Sequence, residues 1–226
     1  MAAYALNVAA CEAFYPLLHA VEIAFRNSVD RAISARLGAS PTLEIDSWLD
    51  RKRSLLNEYG QRDVDDAKKK LLKRAAKTGG RRPNHADLVA ALDFGFWTGL
   101  LADDYVWRSS SDPRWWPQLL PVVFPNYKRA ITMKDAKQIR SALNDLRNFR
   151  NRVFHHEPIL PKSGLVRLAD VQRALGTQRA WILNIIGWIS IETRSTVESF
   201  DRLGEVSESR FYRQLCFRLC SLADRS

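Results

Sequence analysis

The chain has 226 residues, of which 46% are hydrophobic, enough to bury the core of one large domain and too many for a disordered chain. Its 35 basic and 25 acidic residues give a net charge of +10. Such a surplus attracts RNA, DNA or an acidic membrane surface, but it can equally serve solubility alone. The three cysteines are too few for a disulfide framework.

The N-terminal stretch MAAYALNVAACEAFYPLL is apolar, but it lacks the basic start of a signal peptide and contains Glu12 and Pro16. The sequence contains no run of about 18 uninterrupted apolar residues, so it predicts no transmembrane helix. We therefore expect a cytoplasmic protein that spans no membrane.

Apolar residues recur with helical spacing along most of the chain, which predicts an all-α fold in a single domain, residues 1–226. The first helix is predicted to follow a break at Pro16 and to end near Gly38. Within it Glu22 and Arg26, one turn apart, can pair. Its predicted core stripe consists of Leu18, Val21, Phe25, Val29 and Ile33.

Further helices are predicted before and after a proline-rich segment. The earlier ones cover residues 48–59, 63–77 and a stretch from about 85 to 101. Residues 107–127 contain four prolines and predict an irregular, aromatic-rich connection. The later helices cover residues 178–200 and 208–222. No alternating polar and apolar run bounded by turn residues predicts a strand.

The segment LRNFRNRVFHHEPI, residues 146–159, belongs to a long helix that we expect to begin at Thr132. Thr132 and Asp135 form the pattern of a capping box, and Pro158 requires the helix to end by about Glu157. Arg150 lies in the middle of an otherwise apolar face, which costs free energy unless its charge has a use. The apolar residues of that face are Ile139, Leu143, Leu146 and Val153.

The neighbouring face of this helix is polar. Arg147, Asn151 and His155 are spaced by four residues and stack along one side. Asparagine is a poor helix former, yet two more, Asn144 and Asn148, lie close by. The sequence therefore displays polar groups here at the expense of helix stability.

These residue types suit cleavage of a phosphodiester bond. Histidine can accept and donate a proton near neutral pH, and arginine binds phosphate and neutralises the charge that develops on it. RNA supplies its own nucleophile, the 2′-hydroxyl, so we expect no metal and no other cofactor. Arg150, Asn151 and His155 are therefore candidate catalytic residues, with Arg147 and His156 as candidate substrate-binding residues. The same residues near a helix end can also be structural, with His156 only capping the helix.

The spacing of the two principal residues favours a homodimer. Five residues along an ideal helix place Arg150 and His155 about 140° apart around the axis, so the two side chains point in different directions. They converge only if the arginine curls round the helix or if a second copy of the chain faces it. We therefore expect a site at the seam of a symmetric dimer.

Residues 61–82 form a basic segment with nine Lys or Arg and three Asp, a net charge of +6. It contains no aromatic residue, so as an RNA-binding arm it would grip the phosphate backbone without stacking on bases. The alternative is a solvated helix face. The candidate substrate-binding residues are Lys68, Lys69, Lys70, Arg81 and Arg82.

The string RNRVFHHEPI, residues 150–159, resembles the signature of the Abi-like (abortive infection) branch of the HEPN superfamily: an arginine, a polar residue, and a histidine after four to six intervening residues. VEIAFRNSVDRAI (21–33), FGFWTGLL (94–101) and VFPNYKR (123–129) also resemble this family, in the same order. The resemblance covers roughly residues 10–200. Phe154 departs from it, since a smaller residue is expected before the histidine pair.

The resemblance implies a HEPN-like helical bundle that dimerises, with the Arg and His of both protomers forming one cleft. Characterised members include metal-independent endoribonucleases that leave a 2′,3′-cyclic phosphate and a 5′-hydroxyl. Many act in phage defence or as toxins with a cognate antitoxin or regulatory partner. Others are inactive and only bind RNA or partners. The intact Arg150, Asn151 and His155 favour an active ribonuclease, with a non-catalytic RNA-binding or regulatory dimer as the alternative.

Overall fold

The computed structural model describes residues 2–38, 47–105, 115–128, 131–159 and 168–207. This part of the chain contains helices and no strand, which confirms the predicted all-α class. Two 3-10 helices, Arg53–Leu55 and Asp103–Tyr105, lie among the α-helices. In chain order the α-helices are α1 (Ala2–Arg36), α2 (Trp48–Arg51), α3 (Glu58–Thr78), α4 (His85–Ala91), α5 (Phe94–Gly99), α6 (Leu120–Val123), α7 (Met133–Phe154), α8 (Leu168–Ile189), α9 (Ile191–Glu198) and α10 (Leu203–Ser207).

Contacts along the chain divide it into two compact units. Unit 1 comprises Met1–Glu22 and Asp145–Ser226, and unit 2 comprises Ile23–Asn144. In unit 1 helix α8 packs against α9 and α10, and Phe149 of α7 meets the rings of Phe14 and Trp181 edge-on. In unit 2 helix α3 packs against α4 and α5.

Helix α1 runs without interruption through Pro16, so the predicted break there is wrong. A proline inside a helix costs about 3 kcal/mol, and burial of the side chains around it offsets that cost. The predicted core stripe is confirmed, since all five of its side chains are buried, and Gly38 ends the helix with a left-handed φ of 62°. Helix α1 is also long and apolar enough to cross a membrane, but the core helix of a soluble protein meets the same criteria of length and composition.

In unit 2 several predicted helices are divided by side-chain caps. The prediction of a single helix over 48–59 is wrong. Asn57 accepts a hydrogen bond from the Gly60 amide and caps the start of a new helix, α3. The helix predicted over 85–101 is likewise two helices, because Asp93 caps α5. Helix α3 ends at Gly79, as predicted, with a φ of 60°.

His85, the first residue of α4, is anchored within unit 2. Its Nε2 lies 3.0 Å from Asp30 Oδ2, and the Trp48 indole donates to the other oxygen of the same carboxylate at 2.7 Å. Asp30 thereby ties α1 to the starts of α2 and α4.

Helix α7 begins with the predicted capping box: Asp135 accepts from the Thr132 amide at 2.7 Å, and the Thr132 hydroxyl accepts from the Asp135 amide at 3.3 Å. Lys128 adds an ion pair to the Asp135 carboxylate at 2.7 Å. The helix predicted over 178–200 is instead α8 and α9, separated by Ser190, which caps Thr193. The helix predicted over 208–222 lies outside the described residues, and residues 115–127 of the predicted irregular connection contain the short helix α6.

Candidate functional site

The candidate site begins where α7 ends, at a turn that carries both histidines. The His156 amide donates to the Val153 carbonyl at 3.2 Å, and the Glu157 amide donates to the Arg152 carbonyl at 2.9 Å. These two bonds, with His156 at a left-handed φ of 54°, form a Schellman motif. His156 therefore occupies the position that favours glycine, and its backbone has a structural role in stopping the helix.

The segment after this turn is held by three side chains of unit 1. Asn7, buried in α1, donates to the Glu157 carbonyl at 3.1 Å and accepts from the Ile159 amide at 2.9 Å. Gln178 of α8 donates to the Ile159 carbonyl at 3.0 Å, and Arg152 donates to the Pro158 carbonyl. The position of the histidine turn is thus fixed from both sides.

Arg150 lies one turn before the end of α7 and faces α1. Its Nε is 3.5 Å from Glu22 Oε2, its Cζ lies 4.4 Å from the centre of the Phe154 ring, and its side chain is 28% exposed. The Nε makes no hydrogen bond within the described residues, so the contact with Glu22 is an ion pair at long distance. Glu22 thus pairs with Arg150, where the sequence suggested Arg26.

This arrangement explains how an arginine is tolerated on the apolar face of α7. The carboxylate of Glu22 compensates its charge, and the electron-rich face of Phe154 adds a cation–π attraction. Phe154, the residue that departs from the family pattern, therefore contributes directly to the surroundings of Arg150.

The remaining predicted residues of α7 divide by exposure. Asn151 and His155 are exposed, Arg147 is half-buried, and His156 is exposed on the turn. Asn151 Oδ1 accepts a weak hydrogen bond of 3.4 Å from Arg150 Nη1. The structure therefore brings Arg150 and Asn151 together, and it presents His155 to solvent immediately after Phe154.

Two aromatic residues of α1 complete the surroundings of Phe154. The Tyr15 ring lies 5.0 Å from the Phe154 ring, and the His19 ring lies 5.5 Å from it in an edge-on arrangement. Tyr15, His19 and Glu22 share one side of α1, since they are four and three residues apart. The sequence motif does not include His19, and its helical spacing from Glu22 is the signal that could have drawn attention to it.

The basic segment of residues 61–82 divides into paired and free cations. Lys68 forms an ion pair with Asp50, and Arg81 binds both oxygens of Asp87 at 2.6 and 2.7 Å. The Arg81 guanidinium, together with the backbone of Asn84, holds the pKa of Asp87 below its ordinary value. Two of the five predicted RNA contacts are thus engaged within the chain. Within this segment the exposed cations without an ion pair to another described residue are Arg62, Lys69, Lys70, Lys73, Arg74, Lys77 and Arg82.

Within the described residues no three His, Cys, Asp or Glu side chains are grouped as a metal site would require. No protein-family model matches the sequence, and no curated protein or solved structure matches it significantly. Interpretation of the site therefore depends on its own geometry and on the motif residues.

Proposed function

We propose that the chain is an Abi-like, HEPN-type endoribonuclease that cleaves RNA without a metal, by attack of the 2′-hydroxyl on the adjacent phosphorus. The observation that carries the proposal is the environment of Arg150: its guanidinium is oriented by Glu22 and Phe154, remains partly exposed, and lies on the last turn before the exposed His155. A fixed cation and a group that transfers protons are what this reaction requires.

Each residue has a distinct role in this proposal. Arg150 binds the scissile phosphate and stabilises the charge that grows on its oxygens in the transition state. His155 transfers a proton to or from the reacting oxygens. Asn151, within hydrogen-bonding distance of Arg150, orients the guanidinium or the phosphate. Arg147 and His156 border the same end of α7 and supply weaker substrate contacts.

The proposed assembly is a homodimer with a HEPN-like helical fold, acting on RNA in the cytoplasm. The direction of Arg150 supports it, since the guanidinium turns toward Glu22 of its own chain while His155 stays exposed. In the biological context that the motif suggests, the activity serves phage defence or a toxin–antitoxin pair, and an antitoxin or other regulatory partner restrains it.

One observation favours the alternative, a non-catalytic HEPN dimer that binds RNA or a regulatory partner. Glu22 already compensates the charge of Arg150, and a phosphate that binds there must compete with this carboxylate. If the ion pair persists with RNA bound, Arg150 would have a structural role only.

Incubation of the purified protein with total RNA in EDTA tests the proposal. We expect cleavage that leaves 2′,3′-cyclic phosphate and 5′-hydroxyl ends, and its loss in Arg150→Ala and His155→Ala. Arg31→Ala removes an exposed arginine of α1 and is the matched control, expected to retain activity. Cleavage that requires added magnesium would refute the mechanism, and RNA binding without cleavage would support the alternative.

A further inference from the structure

Cleavage by the 2′-hydroxyl requires two proton transfers, and the imidazole of one His155 accounts for only one of them. A base takes the proton from the 2′-hydroxyl as that oxygen bonds to phosphorus. An acid gives a proton to the 5′-oxygen as its bond to phosphorus breaks. The products are a 2′,3′-cyclic phosphate and a 5′-hydroxyl, with no other reactant consumed. The two oxygens lie on opposite sides of the phosphorus, so efficient catalysis uses two groups.

We propose that His19 of α1 is the second proton-transfer residue of this site. Its imidazole lies 5.5 Å from the ring of Phe154, and Arg150 lies 4.4 Å from the same ring centre. The separation of His19 and Arg150 is therefore bounded by the sum of these distances. Because both side chains lie against one ring, a phosphate held by Arg150 would have an imidazole of α1 nearby. This inference depends on the proposed ribonuclease function.

The other groups near Arg150 are less suited to proton transfer. Glu22 is 14% exposed and engaged with the guanidinium, and tyrosine is used for proton transfer less often than histidine. His19 is exposed and forms no hydrogen bond or ion pair with another described residue. Its side-chain type changes charge near neutral pH, so it can serve as acid or base.

His19→Phe is the informative variant. Phenylalanine preserves the edge-on contact with Phe154 but cannot carry a proton. We expect it to fold like the wild type and to cleave RNA about 10²–10⁴-fold more slowly, the usual contribution of a general acid or base. Asn27→Gln, at another exposed position of α1, is the matched control and should keep full activity.

A substrate with sulfur in place of the 5′-oxygen identifies the role, because a thiolate leaves without protonation. We expect this substrate to restore cleavage in one of His19→Phe and His155→Ala, whichever lacks the acid, and not in the other. The pH–rate profile of the wild type should be bell-shaped, and His19→Phe should lose one limb. On its own helix the ionisable groups within one turn of His19 are Tyr15 and Glu22, and from α7 Arg150 lies against the same Phe154 ring.

The outcomes separate the two proposals. Wild-type protein that cleaves no RNA refutes the ribonuclease function itself. Active wild type with fully active His19→Phe refutes only the role of His19. The role of His19 is also overturned if His19→Phe is slowed equally at all pH values. It is overturned likewise if the sulfur substrate rescues both His19→Phe and His155→Ala, or neither of them. In these cases His19 contributes only to packing.

Discussion

Removing one charge of the Glu22–Arg150 ion pair should destabilise unit 1, because the other charge is left uncompensated. Removing both charges should therefore cost less free energy than the sum of the two single replacements. The two charges lie 3.5 Å apart, with side chains 14% and 28% exposed. Coulomb's law at this separation gives about 5 kcal/mol at an effective dielectric constant of about 20, and about 1 kcal/mol in bulk water. The cost of removing both charges from water offsets part of this attraction, so we expect a coupling free energy of about 1–2 kcal/mol.

A double-mutant cycle of Glu22→Gln and Arg150→Met measures this coupling by urea denaturation. Methionine preserves much of the packing on Phe154 without the charge, and one protein concentration is used throughout because the proposed dimerisation would shift the midpoint. The exposed pair Arg194–Glu198, one turn apart in α9, is the control and should give below about 0.5 kcal/mol. A coupling for Glu22 and Arg150 no larger than that of the control would refute the ion pair and its role in orienting the arginine.

Three further predictions concern acid stability, RNA affinity and assembly. Lys128 and Thr132 lower the pKa of Asp135 to about 2. The contribution of this carboxylate to stability is therefore present above its ordinary pKa and is lost as the pH falls from about 4 to 2. Asp135→Asn should flatten the dependence of the unfolding free energy on pH in that range. Mixed Arg150→Ala and His155→Ala proteins should regain part of the wild-type cleavage if the site is shared, because about half of randomly formed dimers are mixed and each of these keeps one Arg150 and one His155 in the cleft. No recovery would contradict a shared site. Replacing the free cations of α3 with Gln should reduce the log–log salt slope of RNA binding by about 0.7 per lost phosphate contact, whereas Lys68→Gln with Arg81→Gln should leave it unchanged. The free set is Arg62, Lys69, Lys70, Lys73, Arg74 and Lys77. An equal effect of both sets would refute the division into free and paired cations.

The local features of the fold were accessible from sequence because each has a local cause. The capping box of Thr132 and Asp135, the end of α3 at Gly79 and the stripe from Leu18 to Ile33 depend on residues within a few positions of one another. The helix boundaries at Asn57 and Asp93 have the same kind of cause, yet the continuing apolar pattern concealed them.

The partners of the site residues were not accessible in the same way. Glu22 meets Arg150 across more than 120 positions of sequence, and no periodicity within one helix reports such a contact. Pattern reasoning instead assigned Glu22 to Arg26, its neighbour on the same helix. The motif located Arg150 and His155, but only the packing of α1 against the end of α7 shows that Phe154 and Glu22 hold the guanidinium.

Asn7 is the residue of this region that sequence reasoning missed altogether, and its replacement gives the last prediction. Its amide bonds both Glu157 and Ile159, and Ile159 is buried. Asn7→Leu leaves the Ile159 amide without a partner, which should cost about 1–3 kcal/mol and should release the turn that carries His155. Asn184→Leu, at an exposed position of α8, should change stability by less than about 0.5 kcal/mol.

Hydrogen exchange distinguishes release of this turn from general destabilisation. In Asn7→Leu the Ile159 amide should exchange faster by a larger factor than amides in the middle of α8, because its acceptor is removed directly. Asn7→Leu should also cleave RNA more slowly at temperatures where it is fully folded, since His155 is then held less firmly relative to Arg150. Unchanged protection of Ile159 would show that Asn7 does not hold the turn, and the position of His155 would then depend on the Schellman motif and on the contacts of Gln178 and Arg152.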